Sequence, residues 1–93
     1  MTKQSGPTDV QTGILHMMMN GWRLMGHPER GAYLERGRRE HNSVHATAFR
    51  KLIEYGWIQS SGWGVYFLTP EGREMATKKL VSRGVRVDEH QDL

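Results

Sequence analysis

The chain has 93 residues, of which 37% are apolar and 25% charged, and this is enough for one small domain with a thin core. It contains no cysteine, which excludes disulfide scaffolds, cysteine-based zinc sites and thiol catalysis. No apolar run approaches the roughly 20 residues of a membrane span, and residues 1–7 lack signal-peptide character, so we expect a cytoplasmic protein that contacts no membrane.

Positive charge is concentrated in the middle of the sequence. The formal net charge is +3, whereas the stretch 30–51 alone holds six Arg or Lys against two Glu. The final stretch, 88–93, carries three acidic residues. This distribution predicts an anionic partner for the middle of the chain. We place the folded domain at 8–84, between a disordered N-terminal tail at 1–7 and an acidic C-terminal tail at 85–93.

Two helices have clear start signals. Thr8-Asp9-Val10-Gln11 is a capping-box pattern, and it predicts a helix that begins there and ends at Asn20-Gly21. Thr69-Pro70-Glu71 combines an N-cap residue, a proline at the first helical position and an acidic side chain near the helix N-terminus. It predicts the start of the last helix.

The segment 21–36 has two interpretations. Residues 21–25 alternate as in a strand, 26–31 are rich in turn formers, and 32–35 have the composition of a returning strand, which together predict a hairpin. The alternative is a short helix that begins at Pro28. Gly31 and Gly37 disfavour that helix, and we prefer the hairpin.

The most amphipathic segment is a predicted helix at 43–55, ended by Gly56. Its apolar residues share one side, and its opposite side is polar and carries Arg50 and Lys51. After it, 56–60 and 65–68 have the composition of two strands joined by the turn Ser61–Gly64.

Two stretches carry a resemblance to a known family. The residues from Val44 to Ile58 are similar to a recognition helix that leads into a wing strand, and those from Tyr66 to Glu74 are similar to the returning wing strand and the helix after it. Residues 42–76 therefore resemble the winged helix-turn-helix DNA-binding superfamily, of the prokaryotic or phage transcriptional-regulator type. The resemblance implies an α+β fold, namely a small winged-helix domain of three or four helices with a β-hairpin wing, to which 21–36 would add a second hairpin.

The same resemblance implies binding of double-stranded DNA, a role in transcription regulation, and a homodimer formed through the first or last helix. The residue types agree, because one helix fits the major groove, Arg50 suits guanine or phosphate and Lys51 suits phosphate. If six cations each neutralise one phosphate, log affinity should fall with log salt at a slope of about −5. The candidate DNA-binding residues are Arg36, Arg38, Arg39, Asn42, Ser43, Ala46, Thr47, Arg50, Lys51, Ser61 and Trp63.

Several of these residues have a second interpretation. Residues 36–40 also suit a solvated loop with no ligand. Trp63 lies in a glycine-rich turn, where it could fold back onto the domain, insert into DNA or anchor a protein partner. We assign Trp22 and Trp57 to the core.

A different class of function is a protein-interaction module or small inhibitor that docks on an acidic protein partner through Trp63 and the basic stretch. An enzyme ranks third, because no catalytic spacing is present, and we expect no cofactor. His41 and His45 are four residues apart, as two metal ligands on a helix would be, but no further ligand completes a set, so we expect no metal.

Overall fold

The computed structural model describes residues 7–85, which form an α+β fold with three helices and one five-stranded antiparallel sheet. The sheet has the strand order β3-β2-β1-β5-β4. In chain order the elements are α1 (Asp9–Met19), β1 (Arg23–His27), β2 (Gly31–Arg36), β3 (Glu40–Val44), α2 (Ala46–Glu54), β4 (Ile58–Gly62), β5 (Val65–Leu68) and α3 (Pro70–Ser82).

The predicted winged-helix domain is wrong, and two pairings explain why. Strand β3 occupies residues that were expected to precede and begin the recognition helix, and it pairs along its whole length with β2. Strand β5 pairs with β1 as well as with β4, so the expected wing is part of the same sheet and not a separate hairpin. Helix α2 therefore begins only at Ala46, with His45 as its N-cap.

The hairpin interpretation of 21–36 agrees with the structure. Strands β1 and β2 pair antiparallel from Arg23 and Glu35 to His27 and Gly31, and residues 28–30 form the turn between them. The alternative helix at Pro28 does not form. Gly31 adopts a φ of 96°, which is a left-handed conformation that helices of L-residues exclude.

Both predicted helix starts are confirmed. At α1 the Thr8 hydroxyl accepts from the Gln11 N–H (3.2 Å), and the Gln11 side chain accepts from the Thr8 N–H (2.9 Å), which is a complete capping box. At α3 the Thr69 hydroxyl accepts from the Gly72 N–H (3.0 Å) and donates to the Gly56 carbonyl (2.7 Å). Thr69 thus caps α3 and ties it to the end of α2.

The core lies between the three helices and one face of the sheet, which we call the inner face. Side chains alternate along strands, and the even-numbered positions of β1, β2 and β3 point inward. There Leu24, Leu34 and Val44 meet Phe49 and Leu52 of α2. Ile14, Leu15, Ile58 and Ala76 complete the buried cluster, and Trp22 and Trp57 pack against it half-buried.

The opposite face of the sheet, which we call the outer face, carries the odd-numbered residues. Its members are Arg23, Met25, His27, Gly31, Tyr33, Glu35, His41, Ser43, Gln59, Val65 and Phe67. None of them belongs to the buried cluster, since α1, α2 and α3 all pack on the inner side.

The two predicted tails lie outside the described residues apart from their innermost positions. Pro7 is buried, and the N–H of Val85 donates to the Leu80 carbonyl (2.9 Å). Within residues 7–85, no helix has both the length and the apolar character needed to cross a membrane.

Candidate nucleic-acid interface

The exposed side of α2 presents Thr47, Arg50 and Lys51 to solvent. The helix is oriented by its other side, because Phe49 and Leu52 are fully buried against the sheet. Nδ1 of His45 accepts from the Thr47 N–H (3.2 Å) and so satisfies one of the free donors at the helix start. The amphipathic pattern therefore fixes which three polar side chains face outward.

Arg50 is held in place by a contact outside its own helix. Its Nη1 donates to the Pro28 carbonyl (3.0 Å) in the β1–β2 turn, the turn that also contains Arg30. Because a guanidinium has five N–H donors, this single bond positions the group without using up its capacity for an anion. Lys51 lies 3.7 Å from a Glu54 oxygen, an exposed ion pair of the kind that contributes little.

Three segments meet at the same end of the sheet. Gly31, at the start of β2, lies beside the backbone N of Ala46, and the Gly26 N–H donates to the Gly64 carbonyl (2.9 Å). The first helical turns of α2, the β1–β2 turn (28–30) and the β4–β5 turn (63–64) are therefore neighbours, and we call this group the α2 end of the sheet. It spans about 20 Å across the strands.

Trp63 projects from the β4–β5 turn and is 99% exposed. Its φ of 56° and the φ of 75° at Gly64 correspond to a type I′ hairpin turn, in which Asn or Gly is the usual first residue. A tryptophan in this left-handed conformation is strained, because bulky L-residues rarely adopt a positive φ. Since the side chain is almost completely exposed, the interpretation that it folds back onto the domain is wrong. The flanking Gly62 and Gly64 offer no side chain for the indole to cover. Ser61 is exposed, and its hydroxyl donates to the Val65 carbonyl (3.1 Å).

The arginines of the β2–β3 turn lie at the other end of the sheet. Arg36 Nε donates to Glu40 Oε1 (2.8 Å), and its guanidinium lies 5.0 Å from the centre of the Trp22 ring. This hydrogen bond and the charge attraction raise the pKa of Arg36 and lower the pKa of Glu40. Arg38 and Arg39 are exposed in the turn itself.

The structure therefore divides the candidate DNA-binding residues into separate groups. The six residues of β2 place Arg36, Arg38 and Arg39 roughly 17–20 Å from the α2 end of the sheet. Asn42 and Ser43, which were predicted to begin the recognition helix, are instead exposed residues of the edge strand β3. Ser43 lies opposite Tyr33 on the outer face, away from α2.

His41 and His45 do not form a pair. His41 lies on the outer face, 3.7 Å from a Glu35 oxygen, whereas His45 caps α2. Within the described part of the chain, no group of three His, Cys, Asp or Glu side chains lies close enough to hold a metal ion.

Two features of the surface were missed from the sequence. Arg30 belongs to the α2 end of the sheet because it lies in the β1–β2 turn, two residues after Pro28, whose carbonyl accepts from Arg50. Tyr33 and Phe67 form part of an apolar patch on the outer face. One signal was available for the patch, since all four positions of β5 are apolar, a pattern typical of strands that have contacts on both faces.

Comparison with family models, curated proteins and solved structures finds no match to this chain. The family assignment and the DNA-binding interpretation therefore stay predictions.

Proposed function

We propose that the protein binds double-stranded DNA through the α2 end of the sheet and acts as a transcriptional regulator, a binding protein and not an enzyme. The observation that carries the proposal is the exposed polar side of α2, where Thr47, Arg50 and Lys51 project from a helix whose opposite side is fixed in the core. A single α-helix presented in this way matches the width of the major groove.

The neighbouring turns support this surface. Arg30 adds a cation within the β1–β2 turn that Arg50 contacts, and Trp63 stands at the far side of the same end of the sheet. A span of about 20 Å corresponds to about six base pairs along a duplex, since base pairs follow one another at about 3.4 Å. The α2 side chains would contact the groove while the β4–β5 turn meets the adjacent backbone.

The charge available at this surface is lower than the sequence suggested. Arg36, Arg38 and Arg39 lie at the opposite end of the sheet, so three cations remain for phosphate contacts: Arg30, Arg50 and Lys51. If each neutralises one phosphate, log affinity falls with log salt at a slope of about −3, not −5.

A second candidate function is docking on an acidic protein partner through Trp63. The specific observation is the complete exposure of this indole in a turn conformation that other residues adopt more easily. Large aromatic side chains that are fully desolvated on binding are common anchors of protein interfaces.

A titration of the full chain against fluorescein-labelled duplex DNA, read as fluorescence anisotropy, tests the proposal. We expect binding at low salt with the slope of about −3, and Arg50→Ala with Lys51→Ala should weaken it at least about tenfold. Lys78→Ala with Lys79→Ala, on α3, is the matched control and should change affinity little. No binding at low salt, or equal losses in both double variants, would contradict DNA binding by α2.

Trp63→Asn separates the two candidate functions. Asparagine suits the left-handed turn position, so the variant should fold with equal or greater stability, by up to about 1 kcal/mol. Unchanged duplex affinity combined with loss of a protein partner would favour the docking function.

A further inference from the structure

The outer face of the sheet carries an apolar patch that the core does not use. The patch consists of Met25, Tyr33, Val65 and Phe67, of which Met25 lies directly opposite both Tyr33 and Val65 on neighbouring strands. Tyr33 is 38% exposed and Phe67 is 43% exposed, although both lie on internal strands. A contiguous exposed patch on internal strands marks an interaction site more often than scattered single residues do.

Aromatic rings dominate this patch and its border. Tyr33 lies on β2 and Phe67 on β5, with β1 between them, so the two rings stand at least about 10 Å apart and each has room for a separate flat ligand. His41 adds a third ring, with its centre 5.7 Å from that of Tyr33. Rings spaced across an open sheet are suited to stacking with unpaired bases, which every nucleotide offers.

The charges around the patch favour an anionic ligand. Arg23 lies on the face itself, Arg30 lies in the turn at one end, and Arg38 and Arg39 lie in the turn at the other end. The carboxylates in the same region are Glu29, Glu35 and Glu40. Glu35 is within 4.0 Å of both Arg23 and His41, and Glu40 is paired with Arg36. Phosphates at either end of the patch would therefore meet a surplus of positive charge.

A second copy of the chain fits this face less well. The outer face covers about 20 Å across the strands and about 15 Å along them, or roughly 300 Å². A stable specific interface needs about 800 Å² from each partner. Two copies face to face would also bring their surplus arginines together.

From these observations we infer that the outer face binds single-stranded DNA, with bases stacked on Tyr33 and Phe67 and phosphates directed to the arginines at the ends of the patch. The strand is taken to be DNA because the proposed function places this protein on DNA, and this choice rests on that proposal. The hydroxyl of Tyr33 is directed to the Met25 sulfur (3.7 Å), whereas Ser43 and Gln59 border the patch and can pair with a 2′-hydroxyl, so the RNA arm of the test decides between the two sugars. This inference goes beyond duplex binding, since α2 lies on the inner side of the sheet.

Anisotropy of a labelled ten-nucleotide DNA strand of mixed sequence, titrated with the full chain at low salt, tests the inference. Tyr33→Ala and Phe67→Leu should each weaken binding about tenfold or more, whereas Tyr33→Phe keeps the ring and should bind as the wild type does. Phe67→Leu retains apolar volume, so circular dichroism should show an unchanged fold. Val10→Ala and Val81→Ala, exposed apolar positions on α1 and α3, are the controls and should have no effect.

Further measurements distinguish single-stranded DNA from the other ligands that this face could bind, namely RNA and a second copy of the chain. Arg50→Ala with Lys51→Ala should leave single-strand affinity unchanged, so duplex binding by α2 and strand binding by the outer face can fail separately. Absence of single-strand binding, equal affinity in the ring variants, or tighter binding of RNA with the same sequence would overturn the inference. So would sedimentation that shows a dimer in the wild type and a monomer in Phe67→Leu.

Discussion

The inner and outer faces of the sheet are built from adjacent residues of the same strands, yet only the inner face is covered within residues 7–85. Leu24 and Leu34 point inward and are buried, whereas their neighbours Met25 and Tyr33 point outward and meet solvent. Alternation along a strand makes this difference inevitable once the helices pack on one side. The comparison shows that apolar composition alone does not identify the core of this protein.

Apolar residues on the two faces also differ in how much they stabilise the fold. An inward side chain such as Leu34 contributes about 1.5–3 kcal/mol through burial and cannot be replaced without loss of packing. An outward side chain such as Phe67 obtains only part of that stabilisation, because 43% of its surface stays in water.

The largest expected difference in the free energy of unfolding is between one truncation to alanine on the inner face and one on the outer face. Leu34→Ala removes a side chain that is 1% exposed, and should lower the free energy of unfolding by about 2–5 kcal/mol. Tyr33→Ala, one residue earlier, should lower it by less than about 1 kcal/mol, since its ring contacts only neighbours on the open face. Urea denaturation followed by circular dichroism measures both, and equal losses would show that the outer face is covered.

The N-caps of α1 and α3 allow a second comparison, between one threonine cap that is exposed to solvent and one that is buried. Thr8 and Thr69 both accept a backbone N–H, but Thr8 is exposed and Thr69 is buried. Thr69→Ala should cost about 2 kcal/mol, because it leaves the buried Gly72 N–H and the Gly56 carbonyl without their partner. Thr8→Ala should cost about 1 kcal/mol.

Thermal and urea unfolding of the two variants measure this difference. The Thr→Ser variants at both positions keep the hydroxyl and serve as controls, and they should lose less than the alanine variants. A larger loss at Thr8 than at Thr69 would contradict the assigned burial of the two caps.

Local signals in the sequence were enough to predict most of the helices. The capping box at Thr8, the Thr69-Pro70 start and the amphipathic pattern around Phe49 each depend on residues a few positions apart, and each has its predicted partner in the structure. The β1–β2 hairpin was preferred for the same reason, since its turn lies within the segment.

The sheet as a whole could not be predicted in this way. Glu40–Val44 is an edge strand of mostly polar residues with no alternating apolar pattern, and it is a strand only because the edge of β2 pairs with it. The pairing of β5 with β1 joins residues about 40 positions apart and leaves no local trace.

The candidate site shows the same division between local and tertiary information. The outward display of Thr47, Arg50 and Lys51 follows from helical periodicity and was predicted. Which turns accompany α2 depends on strand order. This is why Arg30 was missed, and why Arg36 was grouped with Arg50 although it lies at the other end of the sheet.

The smallest expected effect on stability comes from the polar end of the inner face, at the ion pair between Arg36 and Glu40. Arg36 and Glu40 occupy inward positions on β2 and β3 and form an exposed ion pair beside Trp22. Their hydrogen bond and charge attraction lower the pKa of Glu40, so the folded state binds fewer protons at this group than the unfolded state does. The ion pair therefore contributes its full share of the free energy of unfolding at any pH above the ordinary pKa of glutamate. That contribution is lost as the pH falls through the lowered pKa that Glu40 has in the folded state.

The stability of the wild type should therefore fall slightly more steeply than that of Glu40→Gln between about pH 6 and about pH 3. The raised pKa of Arg36 adds no pH dependence in this window, because the guanidinium stays charged throughout. Urea denaturation at each pH measures the difference, with Arg36→Gln and the double variant completing a mutant cycle. If the cycle gives no coupling at neutral pH, the pair contributes nothing and solvent screening has cancelled it, as is common for exposed ion pairs.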